Sequence, residues 1–246
     1  MAAIFEAYAL LVPQVQARIN GLASISGLTS FKDAQLLWPI ALSNAGQQLE
    51  ALGKAPQSLG DVVNALVKLT DFIELGLGRH MNAVGWLAMR IASYRGESVD
   101  FIARCGMGGQ LHDIGKVVMP AGILRKPSHL TPDEYAAIKL HADAGDHLLR
   151  GTPMLANLAE IVRGHHERID GQGYPDRLRG FDIRLESRII AVADAFDAMT
   201  AERVYRDPIS TLEAAQIIVC ESGSHFDPEI VKTFLDVIQI PRRAVA

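Results

Sequence analysis

The chain lacks several things, and each shortage narrows its class. Cysteine occurs only at 105 and 220 in 246 residues. No CxxC pair exists, so neither a zinc ribbon nor a disulfide scaffold is expected, and a reducing cytoplasm is the expected compartment. Basic residues are not in excess: 24 Lys and Arg against 28 Asp and Glu leave a formal charge of -4. That argues against duplex nucleic acid as a partner, because a basic stripe is its usual footprint. Long apolar runs are missing too. The stretch "IFEAYALLV" is too short for a membrane span and contains Glu6. It also lacks the basic flank and cleavage site of a signal peptide, so no membrane segment is expected. Sustained period-two alternation of β-branched residues is absent, which leaves little room for strands.

What is present reads as helix. Hydrophobic residues make up 49% and charged residues 21%, a globular balance that allows one large domain or a small one beside a larger one. "SVDFIARCGMGGQLHDIG" offers Ser98 or Asp100 as a cap, followed by apolar residues at helical spacing. "LTPDEYAAIKLHADAGDHLL" opens with Thr131 as cap, Pro132 in the first turn, then Asp133 and Glu134. "LESRIIAVADAFDAMTAERVY" predicts a long helix, and Asp227 with Pro228 opens a last one. The expected class is all-α. Residues 1–70 have a helical pattern broken near "LWPIAL", "KAPQSLG", Gly21 and Gly27 and carry no chemical motif. They are expected to form a helical N-terminal region of unassigned role, ahead of a functional domain over 71–246.

Histidine occurs at 80, 112, 129, 141, 147, 165, 166 and 225. "LHDIGK" pairs His112 with Asp113 on an expected helix. "RGHHER" places His165 beside His166; on a helix they would point about 100° apart. "VADAFDAM" puts Asp194 and Asp197 three apart on one helical face. A carboxylate inside an apolar helix needs a partner, and a cation is a good one. Each signal alone is weak.

Together and in this order they are specific. "HDIGK", "HHERIDGQGYP" and "VADAFDAMTAERVYR" resemble the HD-GYP branch of the HD phosphohydrolase superfamily. "AGILRKPSHLTPDEYAAIKLHADAG" and "GSHFDPEIVKTF" extend the resemblance, which covers roughly residues 72 to 240. It implies a helical HD-domain bundle with a multinuclear iron or manganese centre. By motif it implies metal ligation by His80, His112, Asp113, His141, His165, His166 and Asp194, with Asp113 bridging. It implies cleavage of cyclic di-GMP to pGpG, with GMP as a further product, by a metal-bridged hydroxide. Such a set, with two divalent ions and a bridging hydroxide, carries a charge of about +1, which suits an anionic phosphodiester. Mixed nitrogen and oxygen donors suit iron, manganese, zinc, cobalt or nickel better than magnesium or calcium.

One departure matters. Some relatives carry a glutamate four residues before the first histidine, as in "ETGNH", and it supports a third metal. Here Gly76 holds that position and Glu74 is two residues away, so two metals are expected.

Other roles follow. Lys116 lies three residues after Asp113, and its ammonium suits charge on the phosphate or leaving group. Gly173, Tyr174 and Pro175 form a turn, read either as rigid packing or as a wall for substrate or a protein partner. Arg203 and Arg206 lie three apart and resemble family residues that contact the dinucleotide. Asp197 is expected to orient a ligand or touch substrate. His129, His147 and His225 are expected to be structural or exposed. Two other readings stay open: hydrolysis of another cyclic dinucleotide, such as cyclic GMP-AMP, and a non-catalytic module that senses nucleotide or a partner.

Overall fold

The computed structural model describes residues 58–70, 74–119, 121–124, 126, 128–202, 207–241 and 244–245. Most of the N-terminal region, together with Arg203 and Arg206, lies outside the described residues. Among the described residues there is no strand, only an isolated bridge between Ser222 and Phe226. The expectation of an all-α chain holds.

The helices are α1 (Leu59–Thr70), α2 (Leu77–Tyr94), α3 (Val99–Leu111), α4 (Ala121–Leu124) and α5 (Pro132–Arg150). They continue with α6 (Ala159–Arg163), α7 (Leu185–Thr200), α8 (Thr211–Cys220) and α9 (Pro228–Val237). Short 3-10 turns span Ile114–Val118, Ala156–Leu158 and Gly180–Asp182. None of these helices is long and apolar enough to cross a membrane. The chain divides into two compact units, 1–78 with 113–159 and 79–112 with 160–246.

In the first unit, α1 buries Val63, Leu66, Val67 and Thr70, the spacing of one helical face. α1 and α5 both pack against the 3-10 turn Ile114–Val118. Capping fixes where α5 begins. Thr131 Oγ1 accepts the Glu134 amide at 3.2 Å, and the Glu134 carboxylate accepts the Thr131 amide at 2.8 Å. Lys126 donates to the same carboxylate at 2.6 Å. Gly115 lets the turn lie directly on α5. A Cβ there would strike the His141 carbonyl and would lie 2.6 Å from the Gly145 amide nitrogen.

In the second unit, α7 packs on α3, α8 and α9. The buried face of α3 is narrow, with Cys105, Gly106, Gly108, Gly109 and Leu111, and Ser98 is its cap. α7 buries Ile189, Ile190, Val192 and Ala193. At its start, Arg188 pairs with Asp227 at 2.5 Å, and Asp227 also caps α9 by accepting the Glu229 amide at 2.9 Å. One buried ion pair thus fixes the start of α7 relative to α9.

Candidate metal centre

Six sequence-selected side chains meet within the second unit. His80 lies in the first turn of α2, and His112 caps the C-terminus of α3. Asp194 and Asp197 project from α7 one turn apart, as their spacing predicts. His80 bridges them: Nε2 lies 3.1 Å from Asp194 Oδ1, and Nδ1 lies 2.6 Å from Asp197 Oδ2. His112 Nε2 is 3.7 Å from the same Asp194 oxygen. The donor atoms of His80, His112 and Asp194 all lie within 4.8 Å of one another. The His165 ring is 5.1 Å from that of His112 and 3.9 Å from that of His166.

Burial opposes ionisation of Asp194. The hydrogen bond from His80 and the nearby imidazoles of His112 and His166 outweigh it and hold the carboxyl below its ordinary range. An ionised carboxylate among buried imidazoles is the donor chemistry a divalent transition metal requires.

The first unit holds a group of its own. Asp113 is buried and begins the 3-10 turn. Its Oδ2 accepts from Lys116 Nζ at 2.7 Å, and its Oδ1 lies 3.3 Å from His141 Nε2. Lys116 is therefore tied to Asp113, as their spacing suggests.

Three imidazoles share one device. His112 Nδ1 lies 2.7 Å from the Gly109 carbonyl, and His141 Nδ1 lies 2.7 Å from that of Ile138. His165 Nδ1 lies 2.5 Å from the Val162 carbonyl. A carbonyl only accepts, so each Nδ1 carries a proton, and Nε2 is left as the nitrogen that can turn to a metal. A ring fixed in this way turns Nε2 away from the main chain, the nitrogen that metal ligation would use.

Some local expectations are corrected. α3 stops at Leu111, so Asp113 caps the 3-10 turn that follows and is not on a helix with His112. α6 stops at Arg163, so His165 and His166 occupy the turn after it. The 100° rule does not govern them, and their rings lie tilted at 41° against each other. Gly76 has φ +87 in the turn before α2 and bears no side-chain donor. His129 is exposed, as expected. His225 is half-buried and stacks on Phe226 at 4.2 Å, and burial lowers its pKa.

Tyr174 packs on His166, with ring centres 4.7 Å apart and planes tilted by 33°. The peptide bond to Pro175 is cis. Sequence reading missed Glu167, whose carboxylate is buried and faces main-chain amides of the same loop. Its partners lie nine and eleven residues ahead in irregular chain, and no periodic signal marks such a pair.

Comparison with known proteins agrees with this chemistry. The family model of the HD domain matches residues 63–230. The chain belongs to the HD domain family, whose members bind divalent metal. Within that family its motifs resemble those of the HD-GYP branch. It is similar to a cyclic di-GMP phosphodiesterase of Thermotoga maritima, 41% identical over 72% of this chain and 49% of that protein. It is also similar to the cyclic di-GMP phosphodiesterase response regulator RpfG of Xanthomonas campestris, 33% identical over 79% of this chain and 52% of the relative. A 3'3'-cGAMP-specific phosphodiesterase of Vibrio cholerae is 37% identical over 65% of this chain and 31% of its own length. The chain thus spans about half or less of these relatives. Among solved structures, an HDG"Y"P protein from Bdellovibrio bacteriovorus matches with a TM-score of 0.56 at 17% identity. That match covers 91% of this chain and 78% of the other and shows a shared fold.

Proposed function

We propose that this chain is a metal-dependent phosphodiesterase that opens cyclic di-GMP to linear pGpG, with GMP as a further product. The observation that carries the reading is the cluster of His80, His112 and Asp194, built from motifs in HD-GYP order. The names of the Thermotoga and Xanthomonas relatives support the substrate. The proposed ligands are His80, His112, Asp113, His141, His165, His166 and Asp194, holding two iron or manganese ions. Gly76 in place of a carboxylate supports two metals over three.

When bound, the metals supply Lewis acidity at the phosphodiester and a lower pKa for the attacking water. The chain's residues do the rest. Asp194, kept ionised, offsets part of the metal charge. Asp197 orients His80 through Nδ1. Lys116 is held by Asp113 and offers its other N–H bonds to charge on the phosphate or leaving oxygen. Tyr174 beside His166 supplies a flat wall for a base or ribose. Arg203 and Arg206 are assigned to the dinucleotide phosphates or guanine edges.

The test is one anaerobically purified sample, with metals counted per chain and cyclic di-GMP followed by chromatography with added iron(II) or manganese(II). About two metals and linear product are expected. Asp113→Ala should abolish turnover. Metal and tight nucleotide binding without product under any metal would leave a sensing module. The Vibrio relative favours one second reading, cyclic GMP-AMP as substrate, so both dinucleotides belong in the assay.

A further inference from the structure

The loop from Glu167 to Leu178 folds back on the histidine pair, and one buried acid holds it there. Glu167 is 2% exposed. Its Oε1 accepts the Asp176 amide at 2.7 Å and its Oε2 accepts the Leu178 amide at 3.0 Å. From the last turn of α6, Arg163 grips the Asp176 carboxylate with two bonds, at 2.6 and 2.8 Å. Arg163 and Glu167 thus hold the same residue from either side of His165 and His166. Between these anchors the Tyr174 amide donates to the His166 carbonyl at 3.2 Å, and the two rings lie in contact, tilted by 33°. Gly173 permits the approach, because a Cβ there would lie 2.6 Å from the His166 carbonyl and collide with the Arg168 amide.

An apolar side chain would fill the same space without the cost of burying a carboxylate. What the carboxylate adds is direction: two acceptors aimed at amides that have no regular secondary structure to join. We infer that Glu167 is a positioning residue, whose carboxylate fixes loop 168–178 so that Tyr174 holds the His166 ring in its ligating orientation. The part concerning metal rests on the function proposed above. The part concerning ring placement does not.

The test therefore has two readouts. The first uses metal-free protein and follows the His166 ring protons by NMR in wild type, Tyr174→Ala, Glu167→Gln and Glu167→Asp. Glutamine keeps one acceptor but turns an NH2 toward an amide donor, and aspartate is too short to reach both amides. In either Glu167 variant the Tyr174 ring-current shift on His166 should collapse to the Tyr174→Ala value. The second readout is the dissociation constant for manganese(II). Glu167→Gln and Tyr174→Ala should each weaken it by about 10–100-fold. The double variant should be no weaker than the weaker single one, because both act through one contact. Wild-type ring shifts in folded Glu167 variants would overturn the inference, as would additive losses in the double variant. If both Glu167 variants unfold, the residue is required for folding and the assignment falls. If wild type takes up no manganese while the ring shifts behave as expected, the proposed function fails and the positioning of His166 stands.

Discussion

Gly115→Ala tests the contact between the HD turn and α5. The added methyl would meet backbone: the His141 carbonyl, the His141 carbonyl carbon at 2.8 Å and the Gly145 nitrogen at 2.6 Å. An ordinary van der Waals separation is longer by roughly 1 Å. Side chains can swing away, but helix backbone cannot, so the 3-10 turn must lift from α5. Overpacking of this kind costs about 1–3 kcal/mol, and rigid neighbours put it at the upper end. For a chain of this size, about 3 kcal/mol corresponds to a fall in Tm of roughly 6–12 °C. Lifting the turn also draws Asp113 away from His141, so metal uptake should fall. Gly122→Ala is the control. Nothing lies within 4 Å of a Cβ at Gly122, which is exposed in α4. That change should be neutral or stabilise by up to about 1 kcal/mol. Thermal melts of the three metal-free proteins decide the matter. If Gly115→Ala melts within 2 °C of wild type, taken as roughly the smallest shift the size scaling resolves, the proposed steric contact is wrong.

Other expectations follow from single contacts. Asp197→Asn replaces a charged acceptor for His80 Nδ1 with a neutral one, so manganese(II) affinity should fall about tenfold in competition with a chelator, and unchanged affinity would show that Asp197 does not tune His80. Burial pushes the Cys105 thiol up to about 12, whereas Cys220 is exposed. A thiol reagent at neutral pH should therefore label only Cys220 in native protein and both cysteines after denaturation. Arg168 holds the Asp170 carboxyl down to about 2, so this pair stabilises the fold above about 3.8 and the gain is lost as pH falls toward 2. Asp170→Asn should thus lower stability by under about 1 kcal/mol at pH 6, with a smaller difference at pH 3 in urea titrations.

The legible parts of the chain were those whose causes lie close in sequence. Thr131 and Glu134 cap α5 across three residues, and "TPDE" announces it. Asp194 and Asp197 share a face because α7 is regular between them. The end of α3 was not legible, because His112 and Asp113 leave the helix to follow a turn packed on α5, whose residues lie far along the chain. The His165–His166 turn was misread for a similar reason. Its shape depends on Arg163, Glu167 and Asp176, which meet across an irregular loop. His141 illustrates a third case. Spacing gave no reason to prefer it over His147, and only the family resemblance selected it. In the structure its Nδ1 bonds to the Ile138 carbonyl and its Nε2 faces Asp113.

The carbonyl bonds of His112, His141 and His165 have a consequence for how such a protein can diverge. Each ring takes its orientation from main chain three residues earlier, whichever side chains surround it. Neighbouring residues can therefore be exchanged, and the chemistry of the surrounding pocket retuned, without changing which nitrogen each ring offers. His80 is the exception. Both its nitrogens answer to carboxylates on α7, more than a hundred residues away in sequence. Drift in α7 therefore reaches the cluster through Asp194 itself and also through His80, an imidazole whose alignment is borrowed from that helix.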